Sequence, residues 1–375
     1  MLNLLHIKDW RSAITNTFDP KTPFDLPVLP PGAQISNEQF VDVLLRARAE
    51  LGELNGYSHA IPNPLLLLSP AVLRESVASS NIENINTTVE QALQMQLFPE
   101  AQRRPPDKEV LRYRDAILWG YQSLNKLPIS TRLINGIHTH LIPQHADGYR
   151  KIQNSIQDTS TGEVLYTPPP AQMIHRLMGN WERYVNEDKD TLDPLIRTAI
   201  AHYQFEAIHP FRDGNGRVGR ILIVLGLVQH KLLSLPILYV SGYISKDRHR
   251  SEYYRLLRNV SMKSQWKEFV EFLLKGFYLQ AKETKETLLK ITRLLEETKE
   301  HVREKHGKIY SADLVHALFA SPIVTPVSFG RQLGVNYRTA SRYLAQLAEV
   351  KILKESFVGK YHLYANKRLL DLLRD

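Results

Sequence analysis

From Arg217 to His230 the chain is almost entirely apolar once its first turn is past. A helix with apolar residues on every side cannot lie on a surface, so this run predicts a central helix with other elements packed around it. Its start is equally constrained. Asp213-Gly214-Asn215-Gly216 is a turn by composition, because Gly and Asn accept the positive φ at which other side chains clash. A turn that opens a helix leaves backbone N–H groups unpaired beside the positive end of the helix dipole. That place attracts anions, phosphate above all.

The residues around the turn divide into roles. His209 can be neutral near physiological pH and accept a proton from an attacking hydroxyl. Asp213 is a hard oxygen ligand suited to a Mg²⁺ held mostly by phosphates. Arg217 and Arg220 share one side of the first helical turn, where their forks can grip phosphate oxygens. Phe211 is expected to point into the core and anchor the loop. A P-loop is excluded, since no GxxxxGK(S/T) stretch occurs.

Read in order, His209-Pro-Phe-Arg-Asp-Gly-Asn-Gly-Arg-Val-Gly-Arg220 resembles the HxFx(D/E)GNGRxxR motif of the Fic family at every position. The resemblance implies a mainly α fold, a Fic helical bundle with a small β-hairpin flap. It implies transfer of AMP from ATP to a Ser, Thr or Tyr hydroxyl of a target protein, or of the chain itself, with release of pyrophosphate. On this chain His209 would be the general base and Asp213 the Mg²⁺ ligand. The backbone from Gly214 to Gly216, with Asn215, would hold the α- and β-phosphates of ATP. Arg217 would support the β-phosphate and Arg220 grip the γ-phosphate.

A second motif lies upstream. Ser79-Ser-Asn-Ile-Glu83-Asn84 resembles the (S/T)xxxE(G/N) pattern that marks an inhibitory helix in this family. Ser69 is a plausible N-cap with Pro70 at the first helical position, so a helix over about 69–84 is expected, with Glu83 near its end. By resemblance, the Glu83 carboxylate pairs with Arg220 and takes the place of the γ-phosphate, which makes the enzyme self-inhibited. The reverse reaction, removal of AMP with Glu83 aligning a water, is a further reading.

Between the motifs, 148–170 reads as a hairpin. Its β-like runs are Ile152 to Ile156 and Glu163 to Thr167, joined by the turn Asp158-Thr-Ser-Thr-Gly162. It resembles the Fic flap, which docks a target segment as an added strand, ahead of a helix expected from Ala171 to Val185. Asn154, Ser155, Ile156 and Gln157 would lie nearest the nucleotide. In the Arg-His-Arg-Ser-Glu-Tyr-Tyr stretch ending at Tyr254, Tyr253 is the candidate for stacking near adenine.

The chain has 375 residues, room for several domains, and no cysteine, so disulfides and thiolate metal sites are excluded. No signal-peptide pattern opens at Met1 and no apolar run reaches spanning length, which leads to the expectation of a cytoplasmic protein away from membranes. The formal charge is +9, and residues 301–375 alone hold twelve Lys/Arg against six Asp/Glu. The expected organisation is an N-terminal Fic-associated region (1–105), a Fic core (106–280), a charged linking helix (281–305) and a C-terminal module (306–375). In the first region Phe18 to Pro31 should be extended, Asn37 to Leu54 helical, and Ile61-Pro-Asn-Pro64 a break. The last resembles a winged helix-turn-helix domain. Helices are expected from Ser311 to Phe319, through Leu333, and from Tyr337 to Val350, with a wing over Ile352 to Tyr364.

Arg338, Arg342 and Lys360 stand where DNA-contacting residues would. The alternative function is therefore a DNA-binding regulator that uses the Fic body as a nucleotide sensor. His202, Glu206 and His209 have the helical spacing of metal ligands, but Pro210 should end that helix, leaving His202 and Glu206 structural. Whether the chain forms a homodimer is not fixed by these features.

Overall fold

The computed structural model describes residues 18–60, 65–157, 161–187 and 191–374. An N-terminal layer comprises α1 (Val41–Ala60), α2 (Leu65–Ile82), α3 (Val89–Gln96) and α4 (Pro105–Leu124). There follow α5 (Thr131–Leu141), β1 (Ile156–Gln157), β2 (Val164–Tyr166), α6 (Ile174–Asn186), α7 (Pro194–Ile208), α8 (Asn215–Gln229), α9 (Val240–Ile244) and α10 (Asp247–Lys263). The long α11 (Trp266–His306) leads to α12 (Ala312–Ala320), β3 (Ile323–Val324), α13 (Pro326–Leu333), α14 (Tyr337–Glu349), β4 (Lys354–Val358), β5 (Tyr361–Ala365) and α15 (Lys367–Leu373).

The apolar run forms α8, and the expected burial follows. Val218, Ile221, Val224 and Leu225 are fully buried, with α7, α4, α5, α9 and α2 packed around them. α7 is buried almost as completely. These two helices meet at the loop 209–214, so the most enclosed part of the bundle holds the candidate site.

Several boundaries differ from expectation. α2 begins at Leu65, so Ser69 and Pro70 lie inside it rather than at its cap. Pro70 lacks the N–H that would reach back four residues, and the helix gives up that one bond close to its start. α1 runs past Leu54 to Ala60 despite Gly52 and Gly56. Each glycine costs about 1 kcal/mol in a helix, but α1 lies along α11 over most of its length. There Lys285 reaches both Glu50 and Glu53 at 2.6 Å. The break expected at 61–64 and the opening stretch from Met1 lie outside the described residues.

The expected linking helix is the second half of α11, a single helix of 41 residues. It is not a solvated connector, because Leu288, Ile291, Leu294, Leu295 and Val302 form a buried stripe along it. The C-terminal module packs back on the N-terminal layer. α12 lies against α2, the Tyr361 ring sits edge-on to Phe98 at 4.6 Å, and Lys367 and Arg374 reach Glu90. In this module β3, β5 and β4 form an antiparallel sheet in that order. Two elements of this module were not expected from the sequence: β3, two residues between Pro322 and Pro326, and α15.

The flap forms, shorter than expected. Among the described residues only Ile156 pairs with Tyr166 and Gln157 with Val164, with an irregularity between them. The reason is competition for carbonyls. Gln153 Nε2 donates to Asn154 and Pro168 carbonyls, and Arg150 Nη1 donates to the Ile152 carbonyl, so side chains replace the ladder over 150–155. Residues 158–160 of the expected turn lie outside the described residues. The helix after the flap begins as a 3-10 turn at Ala171–Met173 before α6.

Candidate active site

α7 ends where Pro210 predicts it must, and His209 caps it in the left-handed region at φ 50°. His209 therefore lies outside the helix that carries His202 and Glu206. His209 is half-buried and its Nδ1 has no hydrogen-bond partner among the described residues. Burial pushes its pKa down to about 4, so the ring is neutral at physiological pH with a free lone pair.

The loop after it is fixed from within. Phe211 is buried and its ring lies flat on the His138 imidazole, 3.8 Å away and 3° from parallel. His138 Nε2 donates to the Asp213 carbonyl at 3.0 Å. The Asn215 side chain accepts from Phe211 N–H at 2.8 Å and donates to the Phe211 carbonyl at 2.9 Å. Asn215 therefore clips the loop closed, and only its backbone is left to face a ligand. Gly214 adopts φ 79°, and a Cβ there would lie 2.4 Å from Ile142. The first bond within α8 is Val218 N–H to the Gly214 carbonyl, so the N–H groups of Asn215, Gly216 and Arg217 have no carbonyl of their own helix to reach.

That open helix end is covered by a carboxylate. Glu83 Oε1 lies 2.6 Å from where a Gly216 Cβ would be, and accepts from Arg220 Nη2 at 2.8 Å. Arg220 is 1% exposed and also donates to the Ser79 hydroxyl (2.8 Å) and carbonyl (3.0 Å). Burial alone would raise the Glu83 carboxyl; contact with Arg220, aided by Arg217, outweighs it and holds Glu83 below the usual carboxylate range. Burial alone would lower Arg220, and the Glu83 carboxylate outweighs that in turn. Asn84 has φ 60°, and its side chain accepts from Arg250 at 2.8 Å. The motif thus ends in Asn for a backbone reason, since few other residues accept that φ at a helix end.

Arg217 is buried and its Nη1 donates to Glu109 of α4 at 2.7 Å, with Asp213 3.6 Å from Nη2. The Asp213 side chain is 59% exposed at the mouth of the site. An exposed carboxylate beside an anion site is the kind of ligand Mg²⁺ can take, since that ion keeps several waters and takes other ligands from phosphates.

Tyr253 is not where stacking on a base requires it. It is 1% exposed and its hydroxyl is 2.8 Å from His202 Nε2, inside the core. Its neighbour Tyr254 is 45% exposed, and partial burial with the nearby Glu83 carboxylate raises its hydroxyl to about 12, so Tyr254 is the aromatic that borders the site. Behind Arg220, burial pushes Glu206 up to about 8 and Glu75 up to about 7, and His202 down to about 3. Glu75 accepts from Ser241 N–H at 2.8 Å and from Tyr113.

The flap is tied to this loop by a residue to which the sequence reading gave no role. Arg150 N–H donates to the Pro210 carbonyl at 2.8 Å, its Nε to the His209 carbonyl at 3.0 Å and its Nη2 to the Pro169 carbonyl at 2.5 Å. Tyr166 on β2 donates to the Ala207 carbonyl at 2.9 Å. Asn154, Ser155, Ile156 and Gln157 therefore run beside the His209 loop. Asn154 Oδ1 is buried without a partner among the described residues, and Ser155 accepts from Gln157.

Three segments of the chain are similar to known proteins. The Fic/DOC family profile matches residues 128–227, the Fic/DOC N-terminal profile residues 41–122, and the profile of the C-terminal domain of SoFic-like protein adenylyltransferases residues 294–369. Separate segments of the chain are thus similar to a Fic/DOC domain, to the N-terminal region that accompanies it and to a SoFic-like C-terminal domain. It is 34% identical over 145 residues to a probable protein adenylyltransferase of Aquifex aeolicus, an alignment covering 39% of each chain. With the protein adenylyltransferase Fic of Drosophila melanogaster it shares 34% identity over 112 residues, covering 29% of this chain and 20% of that protein. The matched segments thus span well under two thirds of these relatives. A Fic family protein from Desulfovibrio desulfuricans superposes with a TM-score of 0.54 at 22% identity, over 89% of this chain and 98% of that one. Fic-1 of Caenorhabditis elegans gives 0.51 at 20% identity, over 66% and 72%. These likenesses establish the fold. Among the described residues no helix is long and apolar enough to cross a membrane.

Proposed function

We propose that the chain is a protein adenylyltransferase held off by Glu83. ATP would lie with its phosphates over the N-terminus of α8 and its base toward Tyr254. The target hydroxyl oxygen attacks the α-phosphorus, the bond from that phosphorus to the bridging oxygen breaks, and pyrophosphate leaves. The hydroxyl proton passes to His209. A ring held down to about 4 is a weak base by itself, and the anionic nucleotide beside it favours the protonated form, which brings it closer to the range where a base is effective. A Mg²⁺ at Asp213 would neutralise phosphate charge.

The target would dock on β1. Phe24 N–H already donates to the Thr167 carbonyl at 2.9 Å, and Phe18 and Phe24 pack on Tyr166, so the β2 side of the flap is occupied by the chain's own N-terminal segment. Adding a strand to β1 would bring a side chain over the His209 loop.

The observation that carries the reading is the Glu83 carboxylate over the Gly216 backbone, bonded to Arg220 at 2.8 Å. It supports a site that is built for an anion and closed by an internal one. Incubation of wild type and Glu83→Gly with α-labelled or γ-labelled ATP tests it. Protein label from the α position alone, at least about tenfold stronger in Glu83→Gly, is the expected result, since breaking a buried charge pair is worth several kcal/mol. Label from γ alone, or none from either, would overturn the reading.

A specific observation also favours a nucleic-acid role for the C-terminal module, whose arrangement we read as a winged helix-turn-helix. Arg331, Arg338, Arg342, Lys354 and Lys360 are exposed, and among the described residues none of them is in an ion pair. We read this face as a contact for duplex DNA that localises a cytoplasmic enzyme, rather than as the sign of a regulator without turnover, because the His209 loop is intact.

A further inference from the structure

At the N-terminus of α8 two arginines face three carboxylates. Arg220 holds Glu83, while Arg217 lies between Glu109 at 2.7 Å and Asp213 at 3.6 Å. Before any cation joins Asp213, the two guanidiniums and three carboxylates leave net negative charge, which disfavours a polyphosphate. Departure of Glu83 alone leaves the charges balanced. Only when a second carboxylate releases its arginine does the site become cationic, as binding a multiply charged anion requires.

We propose that Glu109 is a second, independent gate on the anion site, so that only a ligand with at least two phosphate groups fully opens it. This rests on the adenylyltransferase reading for its nucleotide, although not for its test. The geometry supports it in three ways. Glu109 is 36% exposed in its side chain whereas Arg217 is 4% exposed, so the carboxylate is the partner that can swing into solvent. Glu109 sits on α4, and Glu83 follows α2, so the N-terminal layer supplies a counter-ion to each arginine in turn. Arg217 Nε is buried without a partner among the described residues, so the fork has donor capacity that Glu109 leaves unused. One phosphate displaces Glu83 from Arg220, and a neighbouring phosphate displaces Glu109 from Arg217. A monophosphate can do only one of these.

The test is calorimetric binding of ATP, and separately of AMP, to the full chain as wild type, Glu109→Gln, Glu83→Gly and the double variant, with thermal unfolding as the control for folding. Glu109→Gln should tighten ATP about three- to tenfold in both backgrounds, the range expected for loss of a partly exposed competing ion pair. AMP affinity should change less than about twofold. Unchanged or weaker ATP binding in the Glu83→Gly background would show that Glu109 aims Arg217 at the phosphate instead of withholding it. Equal tightening of AMP would show a general charge effect. Either result overturns the proposal. Should Glu109→Gln unfold early, Glu109→Asp keeps the charge but shortens its reach, and the same ATP-selective tightening is expected. Binding needs no turnover, so tightening without transfer of the α label in any variant would sink the adenylyltransferase reading and leave this one standing.

Discussion

Two cationic regions of this molecule are organised in opposite ways. At the start of α8, Arg217 and Arg220 are buried and each is held by a carboxylate. On α13, α14 and the β4–β5 hairpin, Arg331, Arg338, Arg342, Lys354 and Lys360 are exposed with no ion pair among the described residues. The same module pairs the cations that face the body, Lys367 and Arg374 with Glu90 and Arg368 with Glu297. A buried, paired arginine gives a site that stays shut until an anion of better geometry competes for it. An exposed, unpaired cation attracts any polyanion at once, and salt screens it.

The largest effect that would sharpen this contrast is at His209. His209→Ala removes the base and leaves the anion site, so transfer should fall by about 10² to 10⁴ while ATP binding stays within a few-fold. Loss of ATP binding would mean that the loop's anion site depends on the ring, which breaks the assignment. Next comes salt. Binding of duplex DNA by the full chain should weaken steeply as salt rises, and Arg338→Ala with Arg342→Ala should reduce the slope of log K against log salt by about 2. A flat salt response would end the polyanion reading of that face and with it half of the comparison.

An effect on stability, not on binding or transfer, concerns the carboxyl behind Arg220. Burial raises Glu206 in the folded chain from 4.5 to about 8. Below pH 4.5 both states are protonated and the group contributes nothing. Between 4.5 and about 8 the folded chain keeps a proton that the unfolded chain has lost, so wild-type stability falls as pH rises through that window. Glu206→Gln lacks this slope. Its advantage in denaturant unfolding should therefore grow from pH 5 to pH 8, toward roughly 3 kcal/mol. A pH-independent difference would show that Glu206 is ionised in the fold over that range, and that burial does not raise it.

Much of the site was legible because it is local. The loop from His209 to Arg220 is contiguous, the helix break at Pro210 follows from proline's missing N–H, and the apolar run that follows can only be buried. The Glu83 to Arg220 pair could be paired from the sequence only through a family motif, since nothing in spacing joins residues so far apart. Tyr253 and Tyr254 show where reading stops. Both are aromatic and adjacent, and only packing decides that Tyr253 faces His202 and Tyr254 faces the site. Arg150 and Glu109 gave no signal, because their partners come from other elements.

The sequence by itself determined that a glycine-rich turn would open a buried helix, and which chemistry its residues could perform. Periodicity, turn residues and caps act over a few positions, so they can be read from the chain. Only the tertiary structure decided that Glu109 stands on Arg217, that α11 is one packed helix, and that the C-terminal module rests against α2. Those outcomes depend on the burial of charges and apolar faces contributed by distant segments, and such a sum is settled only when the whole chain has folded.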